Sequence, residues 1–270
     1  MHRLGQRPVR KPIYRPMYFR LFLPLAWSKP STKPTGPTKI GCSDQRSNPG
    51  MGKAYLFPSP EFYAYYQSIA AVEDPLLAAL RRETECQFPK AASMLIPPEQ
   101  AQLLTFLVQV MGAQRVLELG TFTGYSALAM AMALPPPGGV VTCDREPAFV
   151  ALAERFWQQA GLQSKITVRM GPALGTLATL KQEGQTFDLA FLDADKGNIE
   201  AYYEETLALV RPGGLVVVDN VFLGGDTGQP HPNRPGVTAL RRFNAHLLQD
   251  RRVVATVLPM ADGVTVAWKR

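Results

Sequence analysis

Between residue 115 and the C-terminus, short apolar runs alternate with longer segments that have a helical period. The runs are continuously apolar, which is typical of parallel strands covered on both faces. They predict seven strands, at Arg115–Leu119, Val140–Cys143, Ile166–Arg169, Phe187–Leu192, Leu215–Val218, Arg252–Leu258 and Val264–Trp268. The segments between them predict helices at 125–133, Pro147–Ala160, Leu174–Gln182, Ile199–Val210 and Val237–Gln249.

This alternation predicts an α/β fold with a doubly wound, mostly parallel, Rossmann-like sheet of seven strands. An Asp-Gly turn at 262–263 joins the last two strands, so we expect them to form an antiparallel pair. Ahead of the sheet, residues 59–85 predict two short helices, opened by Ser59-Pro60 and Asp74-Pro75. A loop from Met94 then leads into a helix over Glu99–Val110.

The positive charge of the chain is concentrated in its first 50 residues. The formal net charge is +7, yet residues 1–50 hold ten of the 29 Lys and Arg residues and one of the 22 acidic residues. Residues 51–270 therefore carry a net charge of −2, and a nucleic-acid partner is not expected. Three widely spaced cysteines indicate a reducing compartment. No apolar run is long enough for a membrane helix, so we expect a cytoplasmic protein.

Residues 1–50 hold eight prolines and no sustained period, which predicts a disordered basic arm before a single domain over 51–270. Three accounts of the arm remain open. It is a translation-start artefact with Met51 as the true start, an organelle-targeting segment, or a basic tether to a membrane surface. The prolines disfavour the amphipathic helix of a targeting segment, so we favour the first account.

In an open parallel sheet, ligands bind outside the carboxyl ends of the strands. The stretch Val116–Ser126 supplies a strand, a glycine-rich turn and a helix start, and Asp144 closes the next strand. An acid at that place accepts the hydroxyls of a ribose. The turn Gly120-x-x-x-Gly124 lacks the third glycine of a dinucleotide site, and Glu118 would repel a pyrophosphate. The combination favours a cationic ligand such as S-adenosylmethionine.

A second set of polar residues follows the fourth and fifth strands. Asp193, Asp219 and Asn220 offer oxygen ligands that suit Mg²⁺, Mn²⁺ or Ca²⁺. The alternative interpretation is a turn with helix-capping acids, and the nearby ribose-type strand end favours the metal. Lys196 lies three residues after Asp193 and is a candidate base, or else a surface lysine at a helix start.

Other polar residues are given structural interpretations. His231 lies in a loop rich in Pro, Gly and Asn, His246 fits a helix face, and Ser126 lacks the partners of a nucleophilic triad. The loop over 224–236 follows the candidate metal ligands and is expected to act as a lid or a substrate-selecting element.

The chain resembles the cation-dependent O-methyltransferases typified by caffeoyl-CoA and catechol O-methyltransferases. The resemblance extends from about Tyr55 to the C-terminus, and the segments that carry it are Val116–Ser126, Thr142–Asp144, Phe191–Lys196, Val210–Gly214, Val218–Asn220 and Pro259–Thr265. It implies a set of residues that hold S-adenosylmethionine, namely Ile96, Glu118, Gly120, Thr121, Ser126, Asp144, Ala173 and Asp193. It also implies Asp193, Asp219 and Asn220 as metal ligands, Lys196 as the base, Asp193 beside the methyl donor, and a homodimer.

The chain departs from the plant caffeoyl-CoA pattern after Asn220, where Val221–Gly225 replaces a segment that contains tryptophan. No basic N-terminal contact for coenzyme A is identifiable either. Both departures favour a small vicinal diphenol, such as a catechol or a flavonoid, over a coenzyme A ester. Two other functions remain open: a nucleotide-dependent oxidoreductase on the same fold, and a catalytically silent dimeric binding protein.

Overall fold

The computed structural model describes residues 59–229 and 234–270. The predicted arm over 1–50 and His231 lie outside these residues. The strands are β1 (Arg115–Leu119), β2 (Gly139–Asp144), β3 (Ile166–Met170), β4 (Phe187–Leu192), β5 (Val210–Val218), β6 (Val253–Leu258) and β7 (Val264–Lys269). The helices are α1 (Pro60–Ala70), α2 (Pro75–Gln87), α3 (Pro98–Val110), α4 (Tyr125–Ala133), α5 (Pro147–Gln159), α6 (Ala173–Gln182), α7 (Ile199–Leu209) and α8 (Pro235–Leu247).

The seven strands form one sheet in the order β3-β2-β1-β4-β5-β7-β6. The first five are parallel, and β7 pairs antiparallel with both β5 and β6. The predicted doubly wound, mostly parallel sheet with an antiparallel finish is therefore confirmed. From β1 the chain winds outward to β2 and β3, and then returns to place β4 on the other side of β1. This reversal leaves a crevice outside the carboxyl ends of β1 and β4.

Two apolar layers cover the sheet. One layer contains α3, α4 and α5, in which Leu104, Leu128 and Trp157 respectively are fully buried. On the other face, Tyr203 and Phe243 pack edge to face, with ring centroids 5.4 Å apart. Strand residues such as Leu117 and Phe191 are fully buried between the layers, which is why these strands are continuously apolar.

Strand β5 begins earlier than the sequence indicates. Its predicted start is Leu215, because Pro212, Gly213 and Gly214 indicate a turn, but the strand extends back to Val210. The pairing with β4 shifts register between Phe187 and Leu189, and this irregularity accommodates the glycines within the strand. The resulting segment forms the outer part of β5, away from its carboxyl end.

Helix α1 leaves several of its aromatic side chains partly exposed. Phe62 and Tyr65 are 42% and 61% exposed, and the apolar Ile69 on the same helix is 64% exposed. Tyr63 is the residue that ties α1 to the body, because its hydroxyl donates to Glu99 at 3.0 Å. Across the described residues, no helix combines the length and the apolar character needed to span a bilayer.

Candidate active site

A cavity of about 660 Å³ lies outside the carboxyl ends of the parallel strands. It lies at the switch point between β1 and β4, where an open α/β sheet binds its ligands. Most of the predicted site residues line it, namely Ile96, Gly120, Asp144, Ala173, Asp193, Lys196, Asp219 and Asn220. The other three, Glu118, Thr121 and Ser126, are buried next to it and do not form part of its wall.

Asp193 and Asp219 occupy equivalent places on adjacent strands. They follow Leu192 and Val218, which are partners in the β4–β5 register. The backbone N–H of Asp219 donates to the carbonyl of Leu192 at 3.1 Å, so the two strand ends are fixed side by side. Asn220 comes next with a positive φ of 55°, a backbone conformation that asparagine tolerates better than most residues. The three predicted oxygen donors are thus brought together at one edge of the sheet.

The donor set and its charge fit a hard divalent cation. Burial raises the pKa of Asp193, and the neighbouring Asp219 charge raises it further. Burial also raises the pKa of Asp219. Lys196 opposes both shifts, but one lysine leaves an excess of negative charge between two carboxylates. Carboxylate and amide oxygens in such a setting suit Mg²⁺ or a similar cation.

Lys196 lies beside these carboxylates rather than on the open surface. Its Nζ is 3.2 Å from Asp193 Oδ1, and its side chain is 11% exposed. The neighbouring Asp195 carboxylate is occupied elsewhere, because it accepts from Asn198 at 2.8 Å and from the Tyr202 hydroxyl at 2.5 Å. Lys196 is therefore directed to Asp193, beside the candidate metal ligands.

The glycines of the β1–α4 turn serve packing between elements. Gly120 has a φ of 99°, and a side chain there would overlap the carbonyl of Asp193 at the end of β4. Gly124 has a φ of 79°, and a Cβ there would lie 2.7 Å from the ring of Trp157 on α5. Both positions therefore require glycine because β4 and α5 pack closely against the turn. A ligand that approaches the backbone closely would add to this requirement.

Glu118 lies in a small polar cluster beneath the cavity. Its Oε2 accepts from the Thr142 hydroxyl at 2.6 Å, and Thr142 and Thr121 hydroxyl oxygens are 2.6 Å apart. Its other oxygen, Oε1, is buried and has no hydrogen-bond partner among the described residues. Burial raises the pKa of Glu118 to about 8, although the hydroxyls of Ser126 and Thr142 favour the charged form. An unpartnered buried carboxylate oxygen fits a cationic ligand group such as an amine.

Asp144 is organised by backbone N–H groups. Its Oδ2 accepts from Phe122 at 2.7 Å, and its Oδ1 accepts from Arg145 at 2.7 Å and Glu146 at 2.9 Å. These bonds fix the carboxylate on the cavity wall between the β1–α4 turn and the start of α5. A carboxylate oxygen accepts more than one hydrogen bond, so Asp144 keeps capacity for ribose hydroxyls.

Four non-glycine residues of the described chain have a positive φ, and all four line the cavity: Phe122, Asn220, Leu223 and Ala261. Such conformations cost energy and persist where the surroundings enforce them, often at functional sites. Asp262 supports the backbone on both sides of Leu223, because its carboxylate accepts from Gly224 N–H at 2.6 Å and its carbonyl accepts from Phe222 N–H at 3.0 Å. The β6–β7 hairpin therefore fixes the loop that follows the candidate metal ligands.

Sequence reasoning assigned no role to Thr142, Asp262 or Gln100. Gln100 lines the cavity from the first turn of α3 and is 1% exposed. A signal for it was present, since Gln100 precedes Leu104 and Val108 at a spacing of four, and both leucine and valine are fully buried. A polar residue on the apolar stripe of a helix indicates either an internal partner or a ligand.

His246 has a structural environment, as expected. It lies on α8 at 50% exposure, with Nε2 3.4 Å from Glu204. Glu204, His246 and Asp250 are close enough to share an ion, but Arg252 already pairs with both acids at 2.7 Å. This surface cluster is a set of ion pairs.

Comparison with known proteins places the described site in a family context. The family model described as O-methyltransferase matches residues 67–270. A mouse protein named catechol O-methyltransferase domain-containing protein 1 is 44% identical over 209 residues, which cover 77% of this chain and 79% of the mouse protein. Catechol O-methyltransferase of Niastella koreensis is 38% identical over 201 residues, which cover 72% and 90% of the two chains.

Solved structures agree. The O-methyltransferase TomG of Streptomyces achromogenes, in complex with S-adenosylmethionine, is 36% identical with a TM-score of 0.70, covering 76% of this chain and 94% of TomG. An O-methyltransferase of Bacillus cereus, in complex with S-adenosylhomocysteine, is 32% identical with a TM-score of 0.71, covering 77% and 96%. None of these similarities favours the oxidoreductase or the silent binding protein.

Proposed function

The chain belongs to the O-methyltransferase family and is an S-adenosylmethionine-dependent enzyme of the caffeoyl-CoA and catechol type; from this premise we propose that its acceptor is a vicinal diphenol and that it requires a divalent cation. The observation that carries the proposal is the convergence of Asp193, Asp219, Asn220 and Lys196 in one cavity. The same cavity contains Asp144 and Ala173, the residues that we assign to the cofactor.

In the proposed reaction, Lys196 is the base, and its Nζ takes up the proton of one acceptor hydroxyl. The phenolate oxygen then attacks the methyl carbon in line, so the O–C bond forms while the C–S bond breaks and its electron pair stays on sulfur. S-adenosylhomocysteine and the methyl ether are the products. A divalent cation held by Asp193, Asp219 and Asn220 would supply the charge that favours an ionised acceptor oxygen. Holding the two reactants in line contributes much of the acceleration.

The remaining cofactor contacts follow from the same assignment. Glu118 beneath the cavity takes the amino group, supported by Thr121 and Ser126, while Asp144 takes the ribose hydroxyls. Gly120 and Ile96 border the methionine end, and Ala173 borders the adenosyl end.

The shape and charge of the cavity support a small aromatic acceptor. Leu95, Leu223 and Ala261 provide apolar wall in the cavity that the candidate metal ligands also line. Within the described chain, the basic side chains that line the cavity are Arg145 beside Asp144 and Lys196 beside Asp193. This small number of basic side chains in the described cavity wall supports an acceptor without phosphate groups over a coenzyme A ester.

Methylation of catechol with Mg²⁺, and again with EDTA in excess, tests the proposal directly. We expect turnover that EDTA abolishes and Mg²⁺ restores. The Asp193→Ala variant is expected to lose activity, whereas Glu154→Ala, which removes an exposed carboxylate on α5, is expected to retain it. Undiminished turnover in chelator overturns the metal assignment, and full activity of Asp193→Ala overturns the site.

Two further parts of the proposal concern the whole chain. We propose a homodimer that covers the exposed aromatic side chains of α1, and light scattering of the purified protein measures its mass.

We also propose that residues 51–270 form the methyltransferase domain and that the arm over 1–50 is dispensable for catalysis. A chain that begins at Met51 is then expected to retain full activity.

A further inference from the structure

The turn between β1 and α4 has a left-handed residue on each side of Thr123. Phe122 has a positive φ of 46° although it carries a bulky side chain, and Gly124 has a φ of 79°. For a phenylalanine this conformation is costly, so it persists only where the surroundings enforce it. Thr123 between them is fully buried. The contacts of Thr123 and Phe122 therefore decide whether the turn keeps its shape.

Helix α2 supplies a polar contact for Thr123. The hydroxyl oxygens of Thr84 and Thr123 are 2.8 Å apart, and the Thr84 hydroxyl oxygen is also 2.9 Å from the carbonyl oxygen of Leu80. A hydroxyl has one proton and a carbonyl only accepts, so Thr84 donates to Leu80 and Thr123 donates to Thr84. Both threonines are 0% exposed, so the loss of this bond removes a partner that water cannot replace.

Two further contacts join the same segment to the turn. Phe88, which follows α2, packs edge to face on Phe149 with ring centroids 5.0 Å apart, and Phe149 packs in the same way on Phe122 at 4.7 Å. Just before α2, Glu73 accepts a hydrogen bond from the Tyr125 hydroxyl at 2.7 Å. The segment therefore holds the turn from its strained residue to the first residue of α4.

The strained residue also borders the cofactor site. Phe122 lines the cavity, and its backbone N–H donates to Asp144 Oδ2 at 2.7 Å. Asp144 is the residue that we assign to the ribose hydroxyls, so the position of its carboxylate depends on the conformation of Phe122. A turn that relaxes at Phe122 withdraws this N–H group. Thr84 is not part of the cavity wall, and its effect on the cofactor passes through the turn.

We propose that Thr84 is a positioning residue for S-adenosylmethionine, which acts through Thr123 to hold the β1–α4 turn in its binding conformation; this inference rests on the proposed assignment of the turn and Asp144 to the cofactor. In a variant without the Thr84 hydroxyl, the turn has its binding conformation in a smaller fraction of the ligand-free molecules. The apparent affinity for the cofactor falls with that fraction. The bound complex reacts as before, because the cofactor restores the turn.

The test compares Thr84→Val, which keeps the shape of the side chain but removes its hydroxyl, with Thr84→Ser, which keeps the hydroxyl. In Thr84→Val we expect the dissociation constant of S-adenosylhomocysteine, measured by calorimetry, to rise about three- to tenfold, the range for one neutral hydrogen bond. Thr84→Ser is expected to restore wild-type affinity. With catechol as acceptor, KM for S-adenosylmethionine rises in Thr84→Val, while kcat at saturating cofactor is retained.

Tyr203→Phe is the control for a general loss of stability. It removes the hydrogen bond from Tyr203 to Asp250 at 2.8 Å, in the layer on the other face of the sheet. Both Thr84→Val and Tyr203→Phe are expected to melt at a lower temperature, because each loses one hydrogen bond. Only Thr84→Val is expected to lose cofactor affinity. Equal losses of affinity in the two variants overturn the proposal, since Thr84 then acts through stability alone.

Amide hydrogen exchange supplies a readout that needs no ligand. In the ligand-free protein, Thr84→Val is expected to exchange faster than the wild type over residues 120–126, because the turn opens locally more often. Thr84→Ser is expected to keep the wild-type rate in this segment. Unchanged exchange of the turn in Thr84→Val overturns the premise that Thr84 holds it.

Asp144→Asn separates the inference from the assignment on which it rests. The substitution puts an amide nitrogen in place of one acceptor oxygen, so we expect weaker binding of S-adenosylhomocysteine. Wild-type affinity in Asp144→Asn overturns the cofactor assignment and the inference with it. Weaker binding in Asp144→Asn, together with wild-type affinity in Thr84→Val, overturns the inference alone.

Discussion

Asp193 pairs with Lys196 on one side and lies beside Asp219 on the other. The pair with Lys196 is mostly buried, so neither group gains the full solvation that it would have in water. Lys196 lines the cavity and is therefore held differently from a lysine that pairs at the surface. Lys181, for example, also pairs with a carboxylate, that of Glu205, but its side chain is 36% exposed.

This difference leads to a prediction for Lys196. In Lys196→Met we expect kcat with catechol to fall by about 10²–10⁴-fold, the usual contribution of a positioned base. The dissociation constant of S-adenosylhomocysteine, measured by calorimetry, should change little because the proposed role of the lysine concerns the acceptor. Lys181→Met is the matched control and should behave as the wild type. Wild-type kcat in Lys196→Met at neutral pH would remove the lysine from the proposed chemistry.

At the scale of elements, the turn between β1 and α4 depends on two neighbours. The carbonyl of Asp193 at the end of β4 bounds it at Gly120, and α5 bounds it at Gly124. Trp157 of α5 also donates from its indole N–H to the Gly124 carbonyl at 3.2 Å. The turn, β4 and α5 are therefore packed as one unit, and this unit fixes the part of the turn that lines the cavity.

Substitution of Gly124 tests that packing. Gly124→Ala combines a strained positive φ with overlap against the ring of Trp157, so we expect a loss of about 2–4 kcal/mol in the free energy of unfolding. Gly184→Ala is the matched control, since Gly184 also has a positive φ of 65° but open space around its Cα. It is expected to lose about 1 kcal/mol through strain alone. Equal losses in urea unfolding would show that packing against α5 is unimportant.

At the scale of the whole molecule, the sequence predicted which polar side chains lie together when those side chains come directly at the ends of strands. The acids after β2, β4 and β5 were predicted to meet at one edge, and the cavity contains Asp144, Asp193 and Asp219. Contacts between distant segments were not predictable, because no local pattern reports them. Two examples are the hydrogen bond from Gly224 N–H to the Asp262 carboxylate and the hydrogen bond from the Thr142 hydroxyl to Glu118. The early start of β5 was not predicted, because Pro212 and the two glycines after it have the pattern of a turn.

The burial of Glu118 makes the stability of the whole molecule depend on pH. The folded protein raises the pKa of Glu118 to about 8, mainly because burial disfavours the charged carboxylate. Folding therefore favours the protonated form. The stabilisation is complete below the ordinary carboxyl pKa near 4.5 and is lost as pH rises toward about 8, since the unfolded chain then releases a proton that the folded chain retains.

We accordingly expect the melting temperature of the ligand-free protein to fall as pH rises from 5.5 to 8, with a smaller decline in Glu118→Gln. The amide resembles the protonated carboxyl in shape and charge, so it removes the contribution of Glu118 to the slope but leaves those of Asp193 and Asp219, whose raised pKa values act in the same direction. Glu154→Gln, on the exposed side of α5, serves as the control and should follow the wild-type curve. Parallel curves for Glu118→Gln and wild-type protein would show that Glu118 is already ionised in the folded state, which would require a permanent partner for its Oε1.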